Sequence, residues 1–182
     1  MKTVTRKVQL TGITPIIFDR YPGNNTEQLP PLEKLYLRNG ELIFPAINIK
    51  SFLGSLLTES APQVVIGGKT WKSVANAARS FVSISPFEIP LTAKGKVIKK
   101  SSDQIVIRWD KPVVKKGPST IPNAKERPQL NLPWEMDFTI SLFETEQLSE
   151  ARLRKIFEEG GAILGLGTYR REFGKFTVTK WE

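Results

Sequence analysis

Apolar and polar positions alternate along this chain with two different periods, and each change of period marks an element. Over residues 4–18, Val4, Val8 and Leu10 alternate with polar neighbours before Ile13, Ile16, Ile17 and Phe18 add a denser apolar run. That is the pattern of a long strand with one buried face. Pro15 lies inside it and predicts a bend or an edge position, because proline gives no amide hydrogen to a ladder. From Asp19 to Pro31 the pattern dissolves into a loop, with Pro22-Gly23-Asn24-Asn25 as its turn signal. Leu35-Tyr36-Leu37 and Leu42-Ile43-Phe44 then flank Arg38-Asn39-Gly40-Glu41, and Asn-Gly between apolar runs predicts a hairpin.

The period next lengthens. Ile49, Phe52, Leu53, Leu56 and Leu57 form a helical stripe, with Asn48 as a candidate N-cap and Gly54 as an interior glycine that implies close backbone approach. Gly67-Gly68 breaks the chain, and Trp71 to Arg79 reads as a short helix with Trp71, Val74 and Ala78 inward. Residues 81–85 and 87–91 return to strand. Short strands follow at 105–109 and 111–115, and then a proline-punctuated extended strap at 121–134. Phe138 to Phe143 alternates strictly. Ser149 caps a helix with Leu153, Ile156 and Phe157 on its inner face, expected to end at Gly160, and Lys175 to Trp181 closes the chain as a strand.

Strand, helix, two strands with an insertion, helix, strand is the βαββαβ order of a ferredoxin-like α+β fold with an antiparallel sheet. We expect a single domain over residues 1–182, with an inserted basic hairpin over about residues 94–130 and one sheet face left for ligands.

Composition adds a partner. Of 182 residues 40% are hydrophobic, enough for one core, and the net charge is +9. Between Lys94 and Arg127 ten basic residues stand against three acidic ones. Most of the excess charge therefore sits in the insertion, which suits a phosphate backbone. No apolar run is long enough to span a membrane, and residues 1–8 lack the apolar core of a secretory signal. Cysteine and histidine are both absent, which removes disulfides, thiolate metal sites and the commonest general base. A cytoplasmic protein without cofactor or metal is expected.

The last two dozen residues carry the densest chemistry. Gly165, Gly167 and Gly174 surround Tyr169, Arg170 and Arg171, pairing backbone freedom with planar cations suited to phosphate. Lys50 and Ser51 lie in the first turns of a helix, where free amide groups favour anions.

Three segments in order give the chain a family likeness. Leu10-Thr11-Gly12-Ile13-Thr14-Pro15 looks like the opening strand and turn of the RAMP superfamily of CRISPR-associated proteins. Phe44-Pro45-Ala46-Ile47-Asn48-Ile49-Lys50-Ser51-Phe52-Leu53 resembles that family's I-P-G-S-S-L-K-G-x-L/R segment. It keeps the proline and Lys50 but has Ala46 for glycine and Ile47-Asn48 for the serine pair. Residues 165–176 resemble its C-terminal glycine-rich loop, one residue short and with Glu172 in place of a glycine. The resemblance implies a ferredoxin-like RNA-binding domain of the backbone-subunit type, in which a basic hairpin acts as a thumb over RNA. The chain is shorter than most such subunits, which leaves open an effector subunit, a stand-alone protein or a phage-borne relative.

On this reading Lys50, Ser51, Lys99, Lys100, Arg108, Lys115, Lys116, Lys125, Arg127 and Lys175 meet the nucleic acid together with Gly165, Gly167, Arg170 and Arg171. Tyr169, Trp109 and Trp134 are candidate base-stacking platforms. The expected partner is RNA or another single-stranded nucleic acid, with self-association or assembly with other subunits. Two alternatives stand beside it. One is a structural subunit, for example phage-encoded, working through protein contacts. The other is a metal-dependent ribonuclease using Asp19, Asp103 or Asp110. No spacing singles out one of these aspartates, and a non-catalytic protein is expected.

Overall fold

A computed structural model describes residues 2–21, 23, 29–55, 58–111, 113–122 and 124–182, the side chains of 113–116 and 120–122 excepted. Pro22, Asn24, Asn25, Leu56 and Leu57, which carried a predicted turn and part of a helical stripe, lie outside the described residues. So do the side chains of Lys115 and Lys116.

The predicted first strand is two strands, β1 (Thr3–Gly12) and β2 (Ile16–Ile17), divided at the proline. After a single 3₁₀ turn, β3 (Leu37–Arg38) and β4 (Glu41–Pro45) form the Asn-Gly hairpin, with Asn39 and Gly40 both at positive φ. The helix α1 (Ala46–Gly54) starts two residues before Asn48, so Asn48 is not its N-cap; Pro45 holds that place, and the Ala46 amide donates to the Phe87 carbonyl. Two more helices follow, α2 (Ala61–Val65) and α3 (Thr70–Phe81). The core side of α3 is Val74, Ala75, Ala77 and Ala78, with Trp71 only half-buried.

The chain continues through β5 (Val82–Ser85), β6 (Glu88–Ala93) and β7 (Lys96–Val97). The basic segment contains β8 (Ile105–Asp110), β9 (Val113–Lys116), β10 (Ser119–Pro122) and β11 (Lys125–Leu130). Then come β12 (Glu135–Phe143), α4 (Glu150–Ile163) and β13 (Phe176–Trp181).

The result is a mixed α+β protein with antiparallel sheets. Its main sheet runs β13-β1-β12-β6-β4-β3, with β5 also paired to β12. Alternation sorts its two faces. Val8 and Leu10 of β1 and Met136, Phe138, Ile140 and Leu142 of β12 point into the core. There Phe52, Phe157 and Phe176 meet with ring centroids 5.7 Å apart. The opposite face is largely polar, with Gln9 donating to Asp137 and Phe143 half-exposed at its end. Thr5 and Ser141 pair across β1 and β12 at 3.2 Å, and Thr11 and Thr179 pair across β1 and β13 at 2.9 Å.

The basic segment forms a ribbon of two paired portions. β8 pairs with β11, and β9 pairs with β10 further out. The expected strap thus contains a ladder strand, joined at its base to β2 through Gln129 and Leu130.

The glycine pair in α4 reads differently in three dimensions. Gly160 and Gly161 do not end the helix, which runs on to Ile163. They admit neighbours: a Cβ on Gly160 would lie 2.6 Å from Ala61 Cβ, and one on Gly161 would enter the Phe176 ring. The terminator is Gly165 at φ 77°, whose amide donates to the Gly160 carbonyl at 3.1 Å.

Gly174 (φ 73°) crosses Gly165 so closely that a Cβ on it would collide with the Leu166 carbonyl. Gly174→Ala is expected to lower stability by about 2 kcal/mol or more, combining a left-handed penalty of about 1–2 kcal/mol with a backbone collision. Gly40→Ala, with open space around an equally left-handed residue, should show the conformational penalty alone. Urea midpoints of the two variants measure the difference.

Candidate nucleic-acid interface

Two stretches singled out by their charge, the ribbon and the glycine-rich loop, pack against each other. Residues opposite one another on paired strands share a face, so Arg108 and Arg127, which are in register, project together toward the loop. The Arg108 guanidinium lies 4.8 Å from the centre of the Phe173 ring, and that of Arg127 lies 5.0 Å from Tyr169. The two rings contact each other edge to face. Cation–π attraction of this kind strengthens as the cation loses water. Tyr169 is therefore a seat for Arg127 and not a free platform for a base.

Beneath Tyr169 the charges are concentrated. Asp19, just past β2, accepts from Arg127 Nε at 2.9 Å and from Lys125 Nζ at 3.2 Å through one oxygen. Lys34, buried nearby, donates to the Glu126 carbonyl at 2.6 Å. Burial holds its pKa below the ordinary lysine value; Asp19 opposes that shift, and Lys125 and Arg127 reinforce it. Arg127 is only 5% exposed, and its Nη1 has no acceptor among the described residues.

Asp19, Lys125 and Arg127 line one side of a cavity of about 320 Å³. Asn48 and Ser51 of α1 line another side, and Gly167, Thr168 and Arg170 of the glycine-rich loop a third. Tyr21 and Tyr36 add aromatic wall. The α1 segment and the C-terminal loop, distant in sequence, thus open on one space. Gly167 is at φ 80°, and a Cβ there would lie 2.6 Å from the Ile17 carbonyl.

Several predicted phosphate ligands are engaged inside the fold. Lys50 Nζ donates to the carbonyls of Ala78 and Arg79 at 3.1 and 2.7 Å and also to that of Val82. It closes the C-terminal end of α3, where carbonyls lack helical partners. Burial, helped by Arg79, keeps its pKa below the usual lysine value. Arg170 donates to the Glu59 carbonyl at 3.0 Å and to Thr58 Oγ1 at 2.7 Å. Arg171 forks onto the Glu59 carboxylate, with Nε 2.9 Å from Oε2. Both arginines fasten the loop to residues 58–59, although Arg170 still lines the cavity. Trp134 is 0% exposed, donates from Nε1 to the Thr14 carbonyl at 2.9 Å, and fills the space that Gly12 leaves. It is core and stacks no base. Gly165 serves the loop crossing.

Trp109 lies on the opposite ribbon face and is 58% exposed, with Lys111 Nζ 5.1 Å from its ring. A smaller cleft beside it is lined by Lys34, Lys125 and Glu126, so Lys125 belongs to both depressions. Lys99 and Lys100 are exposed near the β3–β4 turn, the Lys100 amide donating to the Gly40 carbonyl, and Lys175 is half-exposed.

The sequence reading passed over Lys34, Tyr21 and Tyr36, and gave Asp19 no partner. The apolar run ending at Phe18 was the one signal that Asp19 begins half inside the core. Asp110 is engaged by Arg108 Nε at 2.7 Å.

No protein-family model matches the chain, and no curated protein matches it. Among solved structures the chain is similar to one in the cryo-EM structure of the Type III-B Cmr-beta bound to cognate target RNA. Identity is 16% and the TM-score 0.45, over 100% of this chain and 60% of that one. No described helix is long and apolar enough to cross a membrane.

The Glu59–Arg171 fork gives a pH signature. The hydrogen bond from Arg171, ahead of the arginine charges and against partial burial, holds the Glu59 carboxyl below its ordinary 4.5. Its stabilising contribution is complete above about pH 4.5 and fades as pH falls through the lower folded-state value. Urea denaturation of Glu59→Gln should show a flatter loss of stability on that acid limb than the parent chain.

Proposed function

We propose that the chain is a ferredoxin-like, non-catalytic binder of single-stranded nucleic acid, with RNA as the primary partner, as its resemblance to RAMP proteins implies. The carrying observation is Trp109, an indole more than half exposed on a lysine-rich ribbon. A base-binding surface needs an aromatic face beside cations, and Trp109 with Lys111 at 5.1 Å supplies both.

The strand order supports the fold. Taking β1, β5 with β6, β12 and β13 as strands one to four, the sheet reads 4-1-3-2, with α1 to α3 in the first crossover and α4 in the second. The largely polar face of that sheet argues against base stacking there and directs the reading to the ribbon. Of the three aspartates weighed for a ribonuclease, Asp19 and Asp110 are paired with cations and Asp103 lies exposed. The cytoplasm is the compartment this reading suits.

Assembly through protein contacts has one observation in its favour. β8 lies at the end of the three-stranded sheet β2-β11-β8, and Val106 and Ile107 on it are exposed. Free strand edges with apolar side chains pair readily with other chains.

Fluorescence anisotropy with a labelled single-stranded RNA tests the proposal. Affinity should fall steeply between about 50 and 200 mM salt as counterion release is lost. Trp109→Ala should weaken binding by about 1–3 kcal/mol, roughly 5- to 150-fold. No binding at low ionic strength, or binding indifferent to both salt and Trp109, would overturn it. Salt-resistant oligomers formed without RNA would favour assembly.

A further inference from the structure

The cavity beside Asp19 carries more positive charge than it balances. Lys125, Arg127 and Arg170 line it against the single carboxylate of Asp19. Asp19 already divides one oxygen between Lys125 and Arg127. Arg170 meets a carbonyl and a hydroxyl and no carboxylate oxygen. Arg127, 5% exposed, has no acceptor for Nη1 among the described residues. Buried cations are ordinarily paired, because taking an uncompensated charge out of water costs several kcal/mol. Among the described residues, a lining surplus of two positive charges describes a site that lacks its anion.

The space defines the anion further. About 320 Å³ exceeds what a bare inorganic ion fills, and the lining also includes Tyr36, Asn48 and Thr168, an aromatic ring with polar groups that suit a nucleoside. An interior phosphodiester carries one negative charge, whereas a terminal phosphate monoester carries about −1.5 to −2 at neutral pH. The monoester matches the surplus and the diester does not. We infer that this cavity is a seat for the terminal phosphate monoester of a nucleotide or of a nucleic-acid strand.

The assignment deepens the nucleic-acid reading, since Lys125 joins the cavity to the cleft beside Trp109. A strand held by the ribbon would have its phosphorylated end in the cavity. Lys125 and Arg170 donate to the monoester oxygens, Arg127 adds its charge from the wall, and Asp19 keeps its pairing with Arg127 and Lys125.

The test compares one short RNA in 5′-phosphorylated, 3′-phosphorylated and unphosphorylated forms by anisotropy, with UMP, uridine and inorganic phosphate measured by calorimetry on the full chain. Charge-assisted hydrogen bonds predict at least about tenfold tighter binding of one phosphorylated form than of the unphosphorylated strand. UMP should bind where uridine does not, and more tightly than inorganic phosphate. Arg127→Met should remove the preference. Because that change also disturbs the packing against Tyr169, Asn48→Asp provides a near-isosteric second variant. It sets a negative charge on the cavity wall and should bring the ratio of phosphorylated to unphosphorylated affinity close to one.

Equal affinity for all three strands without UMP binding overturns the seat and leaves the ribbon reading intact. UMP binding without strand binding upholds the seat and removes the ribbon reading. Inorganic phosphate binding as tightly as UMP overturns the nucleotide assignment, as does a preference untouched by Asn48→Asp.

Discussion

Arg127 is the residue on which the arrangement of this molecule turns. Its guanidinium is gripped along one edge by Asp19 and across one face by Tyr169, so a single side chain joins β11, the turn after β2 and the glycine-rich loop. The cost of burying a guanidinium fixes this geometry. Withdrawn from water, it requires a carboxylate and a π face, and the chain supplies the two from segments far apart in sequence, one before β11 and one after it. The angle of the ribbon, the position of the loop and the space enclosed between them follow from that demand.

The sequence made visible what depends on local period and turn chemistry. Alternation in β12, the Asn39-Gly40 turn and the Ser149 cap all translate directly into structure, because each is decided by neighbours in the chain. Partnership was not visible. Lys50, Arg170 and Arg171 announce positive charge, and charge states what a residue attracts but not whether a helix end or a glutamate reaches it first. Trp134 and Trp109 look equivalent in a sequence; one lies over a glycine and the other over open solvent. Gly160-Gly161 resembled a helix stop because a missing Cβ serves a turn and a close contact equally well. The pairing of residues 125–130 with β8 was concealed by the prolines at 122 and 128, of which Pro128 sits in the ladder all the same.

The two candidate ligand surfaces differ in kind. On the sheet face, hydroxyls satisfy one another across strands, so the surface has little left to offer a base. On the ribbon, exposed apolar side chains such as Ile107 and Trp109 stand beside cations. Chemistry collects where the fold leaves donors and rings unmatched, and here that is at the base and along the outer side of the ribbon.

The base of the ribbon is tied to the cavity through main-chain groups. Its strand β11 is bonded to β2, where the Phe18 amide donates to the Pro128 carbonyl, while the Ile17 carbonyl receives the Thr168 amide at 3.0 Å. One run of backbone bonds therefore links β11, β2 and the residue next to Gly167, so side-chain substitutions along it leave the connection in place.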